Sequence, residues 1–344
     1  MSTRSTLLGV SSAAVILLVS GPGRALTLVD PTLVVTVFST APTHSVAIPG
    51  PAAPSYGSFL YALSRTVSPR IDELVEFDAD GSELSRGVIA LDAASLQMGA
   101  NAFAGRLFAS ERGLPAEVPD GVYEIAPDRT VSLFSSLGGG NPDPNGIAFG
   151  AGGSFGDFMY VANATAGSND ANVNRAIARI GSDGAVLGAL ATDANGPFHL
   201  AFPTSSAYGD YLYFTLVTSN QLLRVDAEGN VEPFAILEEG ETAIDLAFGL
   251  GGALGNALYA TVNNPGGFAS RRLVRILADG TVETVGTGLG GFRFDIDPAS
   301  GDLFLADEAG GILRISAIPE PGVAVLLGAG LLALAGGRRG WLRA

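Results

Sequence analysis

The chain has two histidines, His44 and His199, and neither cysteine nor lysine. Any chemistry must therefore come from imidazole, carboxylate, amide, hydroxyl and guanidinium groups, and thiol nucleophiles, thiolate metal sites and disulfides are excluded. Five polar residues occupy similar places beside apolar neighbours that hardly change: His44 in "HSVAIP", Asn145 in "NGIAFG", His199 in "FHLAFP", Asp245 in "IDLAFG" and Arg293 in "FRFDID". A carboxylate, an amide and an imidazole brought together suit a hard or borderline cation, so Asp245, Asn145 and His199 are candidate ligands for a divalent metal such as calcium. Arg293 suits the orientation of an anionic group. Asn163, Asn263 and Asp307 close a second set of similar segments and are further candidates. Polar residues at such places also serve as ordinary contacts around water, and that structural reading stands beside the site reading.

Familiar catalytic signatures are missing. The runs "GAGGSFG" and "GLGGALG" do not complete G-x-G-x-x-G, and a P-loop lacks its lysine. There is no HExxH, and only two histidines are available for any triad, which leaves a serine-nucleophile hydrolase with little support. The acidic turn "DADG", with Asp78 and Asp80, lacks the spacing and terminal Glu of a calcium loop and reads as a hairpin turn.

The elements that must position these residues repeat. Six segments have glycine in second place and run into an aliphatic or aromatic strand: "YGSFLYALS", "AGRLFASE", "FGDFMYVAN", "YGDYLYFTL", "LGNALYATV" and "SGDLFLADE". Their glycines, from Gly57 to Gly301, are 48, 51, 53, 46 and 46 residues apart. Downstream of each lies a third strand with a charged residue in one column: Glu76, Glu124, Arg179, Arg224, Arg275 and Arg314. Tight turns such as "SDG" and "ADG" lead to a fourth run, because glycine there accepts positive φ at little cost. Four antiparallel strands per unit, six times, predict an all-β, six-bladed β-propeller with four-stranded blades. The last unit ends after its third strand. "LVVTVFST", Leu33 to Thr40, is expected to supply the missing fourth and close the ring, since an exposed edge invites aggregation. The charged column is expected to be structural, pairing with neighbouring acids.

The body carries 14 arginines against 33 acids over residues 26–318, and the whole chain a formal charge of −15. Phosphate backbones and anionic lipid would repel it, which argues against nucleic acid as a partner. The ends differ from the body. Residues 1–25 place Arg4 before an apolar run and finish with small residues Gly23 and Ala25, the layout of a signal peptide cut by signal peptidase. Residues 319–344 hold Pro319-Glu320-Pro321, an uncharged run over 322–337, then Arg338, Arg339, Trp341 and Arg343. Its 16 residues would span about 24 Å as a helix, a short transmembrane segment held with its arginines on the cytoplasmic side.

This tail resembles the PEP-CTERM sorting signal, which implies processing by an exosortase-type membrane protease after anchoring in the inner membrane. The implied destination is the periplasmic face, then the cell envelope or exterior of a bacterium that makes extracellular polysaccharide. The body, through "GDLFLADE", "GDFMYVAN" and third strands ending in "RI", resembles the six-bladed propellers that include NHL-repeat proteins and gluconolactonase-like enzymes. In the latter a divalent ion sits at the channel mouth on acidic and asparagine side chains. Three functions are left open: an exported, non-catalytic propeller that binds an envelope glycan or protein; a metal-dependent, lactonase-like hydrolase with its site at the channel mouth; and a passive structural protein. The missing catalytic motifs and the export signals favour the first.

Overall fold

The computed structural model describes residues 26–65, 71–111, 118–137, 142–164, 175–192, 196–216, 218–264, 271–307 and 310–318. The two end segments expected to act as sorting signals, including Pro319, Glu320, Pro321, Arg338 and Arg339, lie outside them. Among the described residues no helix is long and apolar enough to cross a membrane.

In chain order the strands are β1 (Thr27–Leu28), β2 (Leu33–Ser39), β3 (Ser45–Ala47), β4 (Leu60–Arg65), β5 (Asp72–Phe77) and β6 (Glu83–Val88). There follow β7 (Ala93–Met98), β8 (Leu107–Glu111), β9 (Gly121–Ile125), β10 (Val131–Ser135), β11 (Pro144–Phe149), β12 (Met159–Asn163), β13 (Ala176–Ile180) and β14 (Val186–Thr192). The remainder are β15 (Pro197–Ala201), β16 (Leu212–Leu216), β17 (Gln221–Val225), β18 (Val231–Ile236), β19 (Thr242–Phe248), β20 (Leu258–Asn263), β21 (Arg272–Ile276), β22 (Val282–Thr287), β23 (Phe294–Ile296), β24 (Leu303–Asp307) and β25 (Gly311–Ala317). They form six antiparallel sheets, the six blades of the propeller expected from the repeat. Blades 1 to 4 take four consecutive strands each, from β3 to β18. Blade 5 is β19 to β22. Blade 6 is β23, β24 and β25 with β2 on its outer edge.

The ring closes as the sequence leads one to expect: Leu33 pairs with Ala317 and Val35 with Ile315. One strand was not foreseen. The two-residue β1 adds to the outer edge of β22, pairing Leu28 with Gly286, so blade 5 has five strands. Gly286 has no side chain to oppose this approach; a Cβ there would lie 3.2 Å from Leu28.

Blades are held to one another mainly by apolar faces. Inner and middle strands are buried on both sides, as in β8, β12 and β16, where every residue is buried. Outer strands such as β6 alternate toward solvent. Aromatic rings meet edge-on at the blade junctions, including Tyr208 with Phe248 at 4.8 Å and Phe59 with Phe304 at 5.5 Å. Tyr208 also ties blade 4 to blade 5: its hydroxyl donates to Ile276 O at 2.6 Å and accepts from Leu258 N at 3.2 Å. Tyr56 does the same between blades 1 and 2, through Ile125 O and Leu107 N.

The turn glycines of the repeat have a second purpose. Gly81, Gly184, Gly229 and Gly280 have positive φ, and a Cβ on any of them would strike a backbone carbonyl of the preceding blade's outer strand, at Phe38, Phe134, Leu190 and Phe234 respectively. The Asp-Gly or Glu-Gly turn is thus a packing point between blades as well as a hairpin. The charged third-strand column is structural in its contacts: Glu76 pairs with Arg129, Glu124 with Arg106, Arg224 with Glu232, Arg275 with Glu283 and Arg314 with Asp302. Arg179 lies over the Phe158 ring instead.

Candidate functional site

The inner strands β3, β7, β11, β15, β19 and β23 run side by side around the central channel. Strand pairing sets their common register. Leu246 opposes Ala260, Leu200 opposes Phe214, Ile147 opposes Val161, Leu96 opposes Ala109, Val46 opposes Ala62, and Phe294 opposes Leu305. The residues immediately before these apolar positions form one layer: Ser45, Ser95, Gly146, His199, Asp245 and Arg293. His44 and Asn145 precede that layer by one residue, so they are not equivalent to His199 and Asp245. Register shifts occur at the starts of β7, β11, β15 and β19, but β3 has none, so the offset of His44 and Asn145 is one of spacing along the chain.

Three of the candidates come together. Asp245 is buried, with 2 % of its surface accessible. Its Oδ1 accepts from its neighbour Leu246 N at 2.8 Å, and Oδ2 accepts from Phe294 N of the next blade at 2.9 Å. His199 Nδ1, from the preceding blade, lies 2.7 Å from Asp245 Oδ1. That oxygen lies off the N–H direction, so Nδ1 has no aligned hydrogen bond and the contact is chiefly electrostatic. Arg293 Nη1 is 4.0 Å from the same oxygen, and its guanidinium stands 5.2 Å from the centre of the Phe198 ring. Burial raises the Asp245 pKa, but the His199 and Arg293 charges and the Phe294 N–H outweigh it and hold the carboxyl below its ordinary value.

The His199 backbone is anchored by its N–H, which donates to Thr215 Oγ1 at 3.0 Å. Its ring lies against Gly146 of blade 3, where a Cβ would sit 2.6 Å from His199 Cα and 2.9 Å from Cδ2. A glycine is needed at that point for the imidazole to lie across the channel. A cavity of about 520 Å³ has His199 among its lining residues. It is also lined by Asp295 of blade 6, which sequence reasoning did not single out. Asp295 Oδ2 accepts from Ile48 N of blade 1 at 2.8 Å, across the seam where the first and last blades meet, and Oδ1 accepts from Ile296 N at 2.8 Å. Burial pushes its pKa up to about 7 against those two N–H groups, helped by the nearby Asp245 and Asp297 charges.

The other candidates are committed elsewhere. Asn145 donates through Nδ2 to Asp143 O at 2.9 Å, while its own carbonyl accepts from Ser95 and Ser110 hydroxyls at 2.6 Å each. Asn163 Oδ1 accepts from Asp143 N at 2.8 Å. His44 Nε2 is 2.8 Å from Asp72 Oδ1, whose carboxylate also meets Arg65 and accepts from Ala93 N. Asn263 Oδ1 accepts from Arg271 Nε at 3.3 Å, and Asp307 accepts from Gly310 N. Among the described residues no group of three or more His, Asp or Glu side chains is arranged to hold a metal ion. With both Asp245 oxygens taken by backbone N–H groups and Asn145 turned to Asp143, the set Asp245, Asn145 and His199 does not fit a divalent ion in this arrangement.

No family model matches the chain and no curated protein matches it. Solved structures do. Virginiamycin B lyase from Staphylococcus aureus superposes with a TM-score of 0.53 at 12 % identity, covering 83 % of this chain and 99 % of that one. A gluconolactonase from Xanthomonas campestris gives 0.55 at 14 % identity, covering 86 % and 90 %. Regucalcin from Agrobacterium tumefaciens, described as calcium-binding, gives 0.53 at 14 % identity, covering 82 % and 92 %. At these identities the likeness establishes the propeller fold.

Proposed function

We propose that the chain is an exported cell-envelope enzyme that hydrolyses a small lactone or ester in the propeller channel. His199 is the general base, Asp245 positions and polarises it, and Asp295 is the acid. The observation that carries this reading is His199, whose Nδ1 meets a buried carboxylate and whose residue lines the channel cavity. The Asp245 charge favours the tautomer with the proton on Nδ1, which leaves Nε2 as an acceptor. Asp245 held low and Asp295 raised to about 7 divide the two carboxyls into one that stays charged and one that carries a proton near neutrality. In the reaction, water adds to the carbonyl carbon as Nε2 takes its proton, the ring C–O bond breaks, and the departing oxygen takes the proton of Asp295. Proton return from His199 to Asp295 through water resets the site. No step is assigned to a metal. The lactonase and lyase names among the propellers of similar fold are consistent with this chemistry.

The test is a pH-stat screen of lactones with residues 26–318, repeated on His199→Gln and Asp245→Asn. Turnover should fall by roughly 10²-fold or more without His199, the usual range for a lost general base. Saturable binding without turnover in the unsubstituted protein would instead support a non-catalytic propeller that binds an envelope glycan or protein. Export and anchoring rest on the signal-peptide and PEP-CTERM-like ends. Cell fractionation should find the body outside the cytosol, and deletion of 319–344 should release it from the inner membrane; recovery of the full chain only in cytosol would reject that part.

A further inference from the structure

The wall of the chamber names the kind of molecule that fits it. Two residues beyond the layer that holds His199, each inner strand again faces the channel, and the occupants there are Ala47, Gln97, Ala148, Ala201, Ala247 and Asp295. Three of the four alanines, Ala148, Ala201 and Ala247, line a cavity of about 520 Å³ together with Gln97 and Asp295, while Ala47 is fully buried; with so little side-chain bulk this layer is a collar rather than a packed plug. The collar is apolar except at two points, the Gln97 amide and the Asp295 carboxyl. No arginine lines the cavity among the described residues, and the chain as a whole carries a formal charge of −15.

The opening has a direction. Below the collar the cavity is lined by Ala100, Asn101, Leu250 and Pro298, all exposed and all in turns that follow inner strands. The ionic groups of the other face, among them the His44–Asp72 and Arg65–Asp92 pairs, lie at the ends where the inner strands begin.

We propose that this chamber takes an uncharged amphiphile, entering from the turn face opposite the charged mouth, with its apolar body in the alanine collar and a hydroxyl or amine hydrogen directed to Gln97 and Asp295. The inference rests on the channel being the site and adds the class of molecule it admits. An apolar body gains by leaving water for a collar of this composition. An anion meets no compensating cation in the wall, and a carboxyl that ionises near neutrality repels it further. A sugar acid is therefore a poor occupant, and an uncharged lactone or alcohol with an apolar substituent is a good one.

A matched pair of fluorescent probes tests this on residues 26–318, a ring that closes through its own β2–β25 pairing. N-phenyl-1-naphthylamine and 1-anilinonaphthalene-8-sulfonate share one aromatic body and differ by a sulfonate. The expected result is saturable binding of the neutral probe at one site, at least tenfold tighter than the sulfonate. Decanol should displace it and decanoate should not. Ala201→Phe and Ala247→Leu, which fill the collar from two blades, should each weaken binding of the neutral probe at least tenfold while the circular dichroism is retained. If one variant does not fold, the other and the decanol–decanoate comparison still decide. Equal affinity for the two probes, or unchanged binding in a folded collar variant, would overturn the proposal. Loss of lactone turnover with neutral-probe binding intact would remove the catalytic reading and leave the chamber; turnover without selective binding would do the reverse.

Discussion

Replacing Asp295 by asparagine should remove a loss of stability with rising pH at the blade 6–blade 1 seam. The carboxyl rises from 3.8 to about 7 on folding, about three units, which corresponds to at most ~4 kcal/mol at about 1.36 kcal/mol per unit. Asp295 keeps some contact with water through the channel, and screening there brings the expected figure nearer ~2 kcal/mol. The sign follows from the direction of the shift. A carboxyl raised on folding contributes fully when protonated, below about pH 4, and that contribution is lost as pH climbs to about 7. Asparagine does not titrate, but it offers one oxygen to the two N–H groups of Ile48 and Ile296 that Asp295 serves, a fixed cost of about 1 kcal/mol. The unsubstituted protein should thus be the more stable at pH 4 by ~1 kcal/mol and the less stable at pH 8 by a similar amount. Urea unfolding of residues 26–318 followed by far-ultraviolet circular dichroism reads this directly. Parallel stability–pH curves for the two proteins would refute the reasoning, because they would mean that Asp295 ionises as easily folded as unfolded.

Gly146→Ala places a methyl against His199 Cα and its ring; it should cost about 1–3 kcal/mol in stability and reduce lactone turnover more than a surface Gly→Ala control of equal stability loss. Removing residues 26–40 deletes β2 and leaves the β25 edge bare, so light scattering should show association that the full ring does not; a monomeric, folded product would contradict the assigned closure.

The six blades are legible because the repeat carries two physical constraints at once, the apolar column of buried strands and the turn glycines that press on the neighbouring blade. The closing strand is legible for a negative reason: the sixth unit lacks an outer strand, and Leu33–Ser39 has an alternating pattern with no other partner. The strand β1 is two residues long and carries no periodicity, so only its pairing with Gly286 reveals it. In the site, His199, Asp245 and Arg293 stand out because they vary where their apolar neighbours do not. His44 and Asn145 stand two residues before the apolar position, Val46 and Ile147, where His199, Asp245 and Arg293 stand one before it, and their side chains turn out to serve Asp72 and Asp143. Asp295 was visible in principle, as an acid where four other blades have alanine. Its shifted ionisation depends on burial and on Asp245 and Asp297 nearby, which no spacing along the chain records.

The central claim is that the neutral His199 ring presents Nε2 to the channel. With only two histidines, long-range proton–nitrogen spectra of labelled residues 26–318 resolve both rings and assign their tautomers. At a pH where the rings are neutral, His199 should carry its proton on Nδ1, and titration with δ-valerolactam, an uncleaved stand-in for a lactone, should shift its Nε2 resonance saturably while those of His44 stay in place. A proton found on Nε2 of His199, or a lactam that moves neither ring, would contradict the account.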